Sequence, residues 1–191
     1  MSDIIKDLRP LLVVFAALVV ITGVVYPLVV FVIGQAAFPY QANGSLIKDG
    51  NGTVIGSELI GQQFAADKYF WSRPSSTGGF PYNSLASGGS NLGPTNAKLI
   101  ADITNRTLLI RQATGADSVP ADLVMSSGSG LDPHISLDAA LLQAPRVAEA
   151  RGLDVGTVEQ FVRDRAEKPI FGIAGEEIVN VLTLNLALDK L

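Results

Sequence analysis

The chain has 191 residues, one His and no Cys, with 14 Lys and Arg against 18 Asp and Glu for a net charge of −4. That acidic balance excludes a nucleic-acid-binding surface, which needs clustered cations to displace counterions from phosphates. A lone histidine without cysteine leaves scattered carboxylates as the only metal ligands, so no metal centre is expected.

Hydropathy is concentrated at one end. Between Pro10 and Ile47 there is no Asp, Glu, Lys or Arg, and 11–33 is apolar apart from Thr22, Gly23, Tyr26 and Pro27. A bilayer core about 30 Å thick takes roughly 20 helical residues to cross. A cleaved signal peptide has an apolar run only about half as long, although the small residues of "GQAA" (34–37) follow the run. A single transmembrane helix over 11–35 is therefore expected. Gly23 permits close helix contact and Pro27 kinks the span, so both are candidate contacts to partner membrane helices. Lys6 and Arg9 precede the span, and the next cation is Lys48. The positive-inside rule then puts 1–10 in the cytoplasm and 39–191 outside, in the periplasm of a bacterium.

Residues 39–191 suffice for one core. Its charges, 12 basic and 16 acidic, are interspersed. "SLIKDGNGTVIG" (45–56) predicts a hairpin around a Gly- and Asn-rich turn. The irregular stretch 69–93 mixes aromatics, one Arg and small polar residues, which suits docking on a partner. Its candidate contacts are Tyr69, Phe70, Arg73, Ser87, Gly88, Gly89 and Asn91. Residues 94–115 predict a helix capped by Thr95 or Asn96 and stopped by Gly115, with Leu99, Ile100, Ile103 and Ile110 on one face. Residues 136–152 predict a second helix that Pro145 kinks or breaks. A third runs from an Asp154 cap to Lys168–Pro169. At 178–189 the pattern fits both strand and helix, with helix favoured. The fold class expected is one N-terminal transmembrane α-helix followed by one mixed α/β extracytoplasmic domain.

Chemistry is sparse. "SSGSGLDPHIS" (126–136) holds the only histidine, but a Ser-His-Asp arrangement needs convergence from separate segments and there is no G-x-S-x-G turn. The stretch reads first as a loop that starts a helix, Asp132–Pro133 opening a turn and Ser136 capping. An interaction loop or a hydrolase using Ser127 or Ser129 with His134 are the alternatives. "LASGGSN" (85–91) reads as a flexible turn before an anion nest. Gln143 and Arg146, three apart, fall at the flank of the helix's apolar stripe. They read as solvated or locally bonded side chains before a ligand-binding pair. No catalytic residue is expected. A ligand-binding protein on a membrane anchor is a further alternative.

Several pieces together resemble a known family. They are "GVVYPLVV" (23–30), "GSELIGQQF" (56–64), "YFWSRPSS" (69–76), "SGGSNLGPTN" (87–96), "VPADLVMSSGSGLDPHIS" (119–136), "QAPRVAEARGL" (143–153) and "NVLTLNLALD" (180–189). In this order they resemble the C subunit of the bacterial Kdp potassium-transporting ATPase, over almost the whole chain. The resemblance implies a non-catalytic subunit of the bacterial inner membrane. Its partners would be a channel-like potassium-binding subunit, a P-type ATPase subunit and a small single-span subunit, besides membrane lipid. ATP and K+ would belong to the complex, with no cofactor of this chain's own. It also implies assembly and stabilisation of the complex and a chaperone-like rise in the ATPase subunit's ATP affinity. Gln143 and Arg146 are implied as nucleotide contacts. Cytoplasmic ATP and an outward-facing domain lie on opposite sides of the bilayer, so the topology argument makes that effect indirect.

Overall fold

The computed structural model describes residues 2–169 and 172–191, with side chains from 8 onward; the first position of the expected cytoplasmic segment 1–10 therefore lies outside the described residues. Two units divide the chain, 1–46 and 47–191.

The first unit is helical. Helix α1 (Ser2–Val20) runs into a widened π turn (Ile21–Val25) and then α2 (Tyr26–Ala37), followed by the short α3 (Pro39–Ala42). Within it, Leu8–Ala37 is long and apolar enough to span a bilayer, and none of the most apolar window is buried against protein. The widened turn has a local cause. Pro27 lacks an N–H, and its ring crowds the carbonyl four residues back, that of Gly23. Adding one residue to the turn is a common way for a helix to relieve such crowding. The N–H of Tyr26 accordingly reaches back five residues to the Ile21 carbonyl. Thr22 Oγ1 also donates to the Leu18 carbonyl at 2.7 Å.

The second unit begins within the expected hairpin of β1 (Leu46–Lys48) and β2 (Val54–Ser57). Asp49 shapes its turn by accepting from the N–H groups of Asn51 and Thr53. Helix α4 (Ala97–Thr114) starts at an Asn96 cap and stops at Gly115, whose φ of 70° suits glycine. The apolar face expected on α4 is only partly covered: Ile110 is buried, whereas Ile100 is 53% exposed.

Strand β3 (His134–Ser136) leads directly into α5 (Leu137–Arg151), capped by Ser136. Asp132–Pro133 thus opens a strand where a helical turn was expected, because 134–136 pair antiparallel with β4 (Ile178–Asn180). Pro145 neither breaks nor ends α5, which continues six residues past it. The ring is exposed, and the buried residues on either side of it, Ala144, Arg146 and Val147, hold the helix through the position. Helix α6 (Val155–Arg163) starts at the Asp154 cap but ends well before Lys168. Glu167 is drawn instead into a backbone bridge with Ile178, its N–H donating at 2.8 Å and its carbonyl accepting at 3.2 Å. The ambiguous 178–189 is both things in turn, β4 then α7 (Val181–Leu188), with Asn180 as last strand residue and helix cap.

The core lies around α5. Ala139, Ala140, Ala144, Val147 and Ala148 are fully buried, with Val158 and Val162 of α6 and Leu184 and Leu188 of α7. Alanine lets helices approach closely and loses no side-chain entropy on burial.

Candidate functional site

Segment 67–71 runs from Asp67 to Trp71 without belonging to any strand. Backbone polar groups this close to a core need partners, and here side chains supply them. Asn185 of α7 accepts from the Phe70 N–H at 2.9 Å and donates to the Phe70 carbonyl at 3.0 Å. Gln143 of α5 repeats the pattern one residue on, accepting from the Trp71 N–H at 2.8 Å and donating to its carbonyl at 3.2 Å. Arg146 donates to the carbonyls of Asp67 (2.6 Å) and Tyr69 (3.0 Å), and to Gln143 Oε1 (2.9 Å). Its guanidinium stacks on the Trp71 ring at 3.9 Å. Arg151 donates to the Lys68 carbonyl at 2.7 Å and to Asp189 at 2.8 Å.

Gln143 and Arg146 are expected as solvated or locally bonded side chains at the flank of α5; they are bonded, not solvated, Gln143 being fully buried and Arg146 8% exposed. The stripe is wider than its apolar residues suggested, because carboxamide and guanidinium stand in for a missing strand. Burial pulls Arg146 down to about 10, against the attraction of Asp67, so it stays charged at neutral pH. Asn185 and Arg151 escaped the sequence reading. The signal for Asn185 was a single polar residue inside "LTLNLAL".

Beyond the segment, Arg73 donates to Asp132 at 2.6 Å. Asp132 also accepts from the His134 N–H at 3.0 Å and faces His134 Nδ1 at 3.3 Å, and Glu167 lies 3.7 Å from Nε2. Burial pushes the Asp132 carboxyl up, but hydrogen bonds from His134 and Arg73 outweigh it and hold the group at about 2. His134 is raised, chiefly by its bond to Asp132 against the opposing effect of burial, with Glu167 adding. Arg73, Asp132 and His134 border an open cleft of ≈ 830 Å³.

The 75–91 loop is tied down on 127–130. Ser75 Oγ donates to the Gly130 carbonyl at 2.7 Å and the Gly88 N–H to the Ser129 carbonyl at 2.8 Å. A Cβ on Gly130 would lie 2.7 Å from the Gly88 carbonyl oxygen, and φ there is +68°. The glycines of "SGGS" and "SGSG" thus let two backbones touch. Of the expected docking residues, Phe70 is fully buried and is a core residue instead, since its ring fills the space beside α5 and α7. Tyr69 and Arg73 are half-buried and held by Asp189 and Asp132. Gly88 and Gly89 are half-buried, while Ser87 and Asn91 are exposed. Gly23 and Pro27 are exposed along the apolar helix.

The sequence model described as "KdpC: K+-transporting ATPase, c chain" matches residues 8–190. The chain belongs to the KdpC family. It is 48% identical over 186 residues to the potassium-transporting ATPase KdpC subunit of Geobacter sulfurreducens, covering 97% of this chain and 98% of the relative. It is 53% identical over 186 residues to that of Paraburkholderia phytofirmans, with 96% of each covered. With that of Methylococcus capsulatus it shares 52% over 189 residues, 98% of this chain and 99% of the relative.

In this KdpC chain His134 is not set against Ser127 or Ser129 as a base on a nucleophile would be. Ser127 and Ser129 Oγ accept from the N–H groups of Gly130 and Leu131, and both ring nitrogens of His134 face carboxylates. A hydrolase base would need one of those nitrogens on a serine. Among the described residues no cluster of His, Asp and Glu is placed to hold a metal ion.

Proposed function

We propose that this chain is the non-catalytic C subunit of a potassium-transporting ATPase complex in the bacterial inner membrane. Residues 1–10 are cytoplasmic, 11–35 cross the bilayer and 39–191 form a periplasmic domain. The subunit assembles and stabilises the complex. It contacts the channel-like potassium-binding subunit, the P-type ATPase subunit and the small single-span subunit. Gly23 and Pro27 face membrane neighbours, and Tyr69, Arg73, Ser87 and Asn91 mark the side that docks. ATP and K+ are bound by the other subunits.

The subunit raises the ATP affinity of the ATPase subunit by coupling, binding one conformation of the complex better than another. The observation that supports this over direct nucleotide contact is the hydrogen-bond network around 67–71. Every terminal nitrogen of Arg146 and both ends of the Gln143 carboxamide already serve the chain's own backbone. Direct contact would cost those bonds and strand buried groups.

Arg146→Lys in the whole complex tests the choice. A point charge cannot reproduce the planar fork, so the domain should unfold at lower urea, and less complete complex should be recovered. Lost ATP affinity should then track the missing subunit. A complex of full composition and undiminished stability whose ATP affinity alone has fallen would favour direct contact.

A further inference from the structure

His134 joins segments that the backbone keeps apart. It stands on β3, opposite Asn180 of β4. On the other side of β4, Ile178 pairs with Glu167. The imidazole reaches across to Glu167 Oε1 at 3.7 Å while Nδ1 faces Asp132 at 3.3 Å. Asp132 in turn holds Arg73 of the loop that follows the clamped segment. The charged groups around the ring are thus Asp132 from its own loop, Arg73 from the 73 loop and Glu167 from beyond α6. Asp122, Asp138 and Glu176 border the same cleft farther along. Nothing titratable comes from β4, whose residues are Ile178, Val179 and Asn180.

We propose that His134 is a pH-sensitive latch that fastens the Glu167 bridge to β3 when the imidazole is doubly protonated and releases it when one proton leaves. The two arms are unequal. Asp132 is the nearer acceptor and carries a full charge, so the neutral ring keeps its proton on Nδ1. Nε2 then turns a lone pair toward a carboxylate, and attraction becomes repulsion on the Glu167 side alone. The Glu167–Ile178 bridge is isolated, so it has no neighbouring ladder bonds to hold it when the latch opens. Because the folded-state value of His134 is raised, the latch is fully closed below the ordinary histidine value and opens as pH rises through the raised one. The network at Asp132 stays charged throughout this range, so the Arg73 side remains fixed.

The chain has a single histidine, so its ring resonances need no assignment. The full-length protein in detergent, titrated by NMR, should give a midpoint above the ordinary value of about 6.5. Glu167→Gln should lower that midpoint. Hydrogen-exchange protection of the Glu167 and Ile178 amides, corrected for intrinsic rates, should fall across the midpoint in the wild type. In Glu167→Gln and in His134→Gln it should be flat with pH. A wild-type midpoint at or below about 6.5, or a pH-dependent loss of protection that persists in both variants, overturns the proposal.

Discussion

Asn185 and Gln143 each give both ends of one carboxamide to one backbone residue, Phe70 and Trp71 in turn. A buried amide bond is worth only about 1 kcal/mol net, but a buried group left without a partner costs roughly 1–3 kcal/mol. Asn185→Ala strands the N–H and carbonyl of Phe70 together, so we expect a loss of about 2–6 kcal/mol, read from urea unfolding of the full chain in detergent. Asn185→Asp keeps the shape and turns the donor into a second acceptor against the Phe70 carbonyl. It should cost at least as much. If Asp is tolerated and Ala is not, the side chain matters for packing and the hydrogen-bond account fails. The polarity of 143 and 146 was plain in the sequence, but their burial was not. Helical spacing placed them at the margin of an apolar stripe, and only the arrival of 67–71 from more than seventy residues away decides which side of that margin is dry.

Elements show the same division. Caps at Asn96, Ser136 and Asp154, and stops at Gly115 and Gly152, were all readable, because a cap is a local hydrogen bond within a few residues. The C-terminal end of α6 and the split of 178–189 were not, because Ile178 and Val179 leave their helical tendency to pair with β3, and Glu167 bridges to Ile178. Pro145 marks the opposite case, a strong local rule that the packing of α5 overrides. The ring is exposed, so burial offsets little of the missing donor. Pro145→Ala should restore one backbone bond and relieve crowding at the Leu141 carbonyl. Proline's cost of about 3 kcal/mol in a helix is offset by the ~0.4–1 kcal/mol it contributes through a stiffer unfolded chain. A net stabilisation of roughly 2–2.6 kcal/mol is therefore expected, measurable as a higher urea midpoint. Unchanged or lower stability would mean that α5 already accommodates the ring without strain.

For the whole molecule the decisive quantity is hydropathy against charge. Two cations before the span set the proposed orientation, and orientation decides whether the domain can ever meet cytoplasmic nucleotide. The chain has no cysteine, and Leu85 is 95% exposed. A Leu85→Cys variant should therefore react with a membrane-impermeant maleimide in right-side-out vesicles and be protected in sealed inside-out ones. The reverse pattern would place the domain in the cytoplasm and reopen direct nucleotide contact. The sequence by itself determined the apolar span, the caps and the family, because charge, hydropathy and short-range hydrogen bonding are properties of neighbouring residues. The tertiary structure alone decided that Phe70 is core, that Gln143 and Arg146 hold the backbone of 67–71, and that His134 reaches Glu167. Each of those depends on which distant backbone arrives beside a side chain, and that is settled by how the whole domain buries its apolar surface and satisfies the polar groups trapped with it.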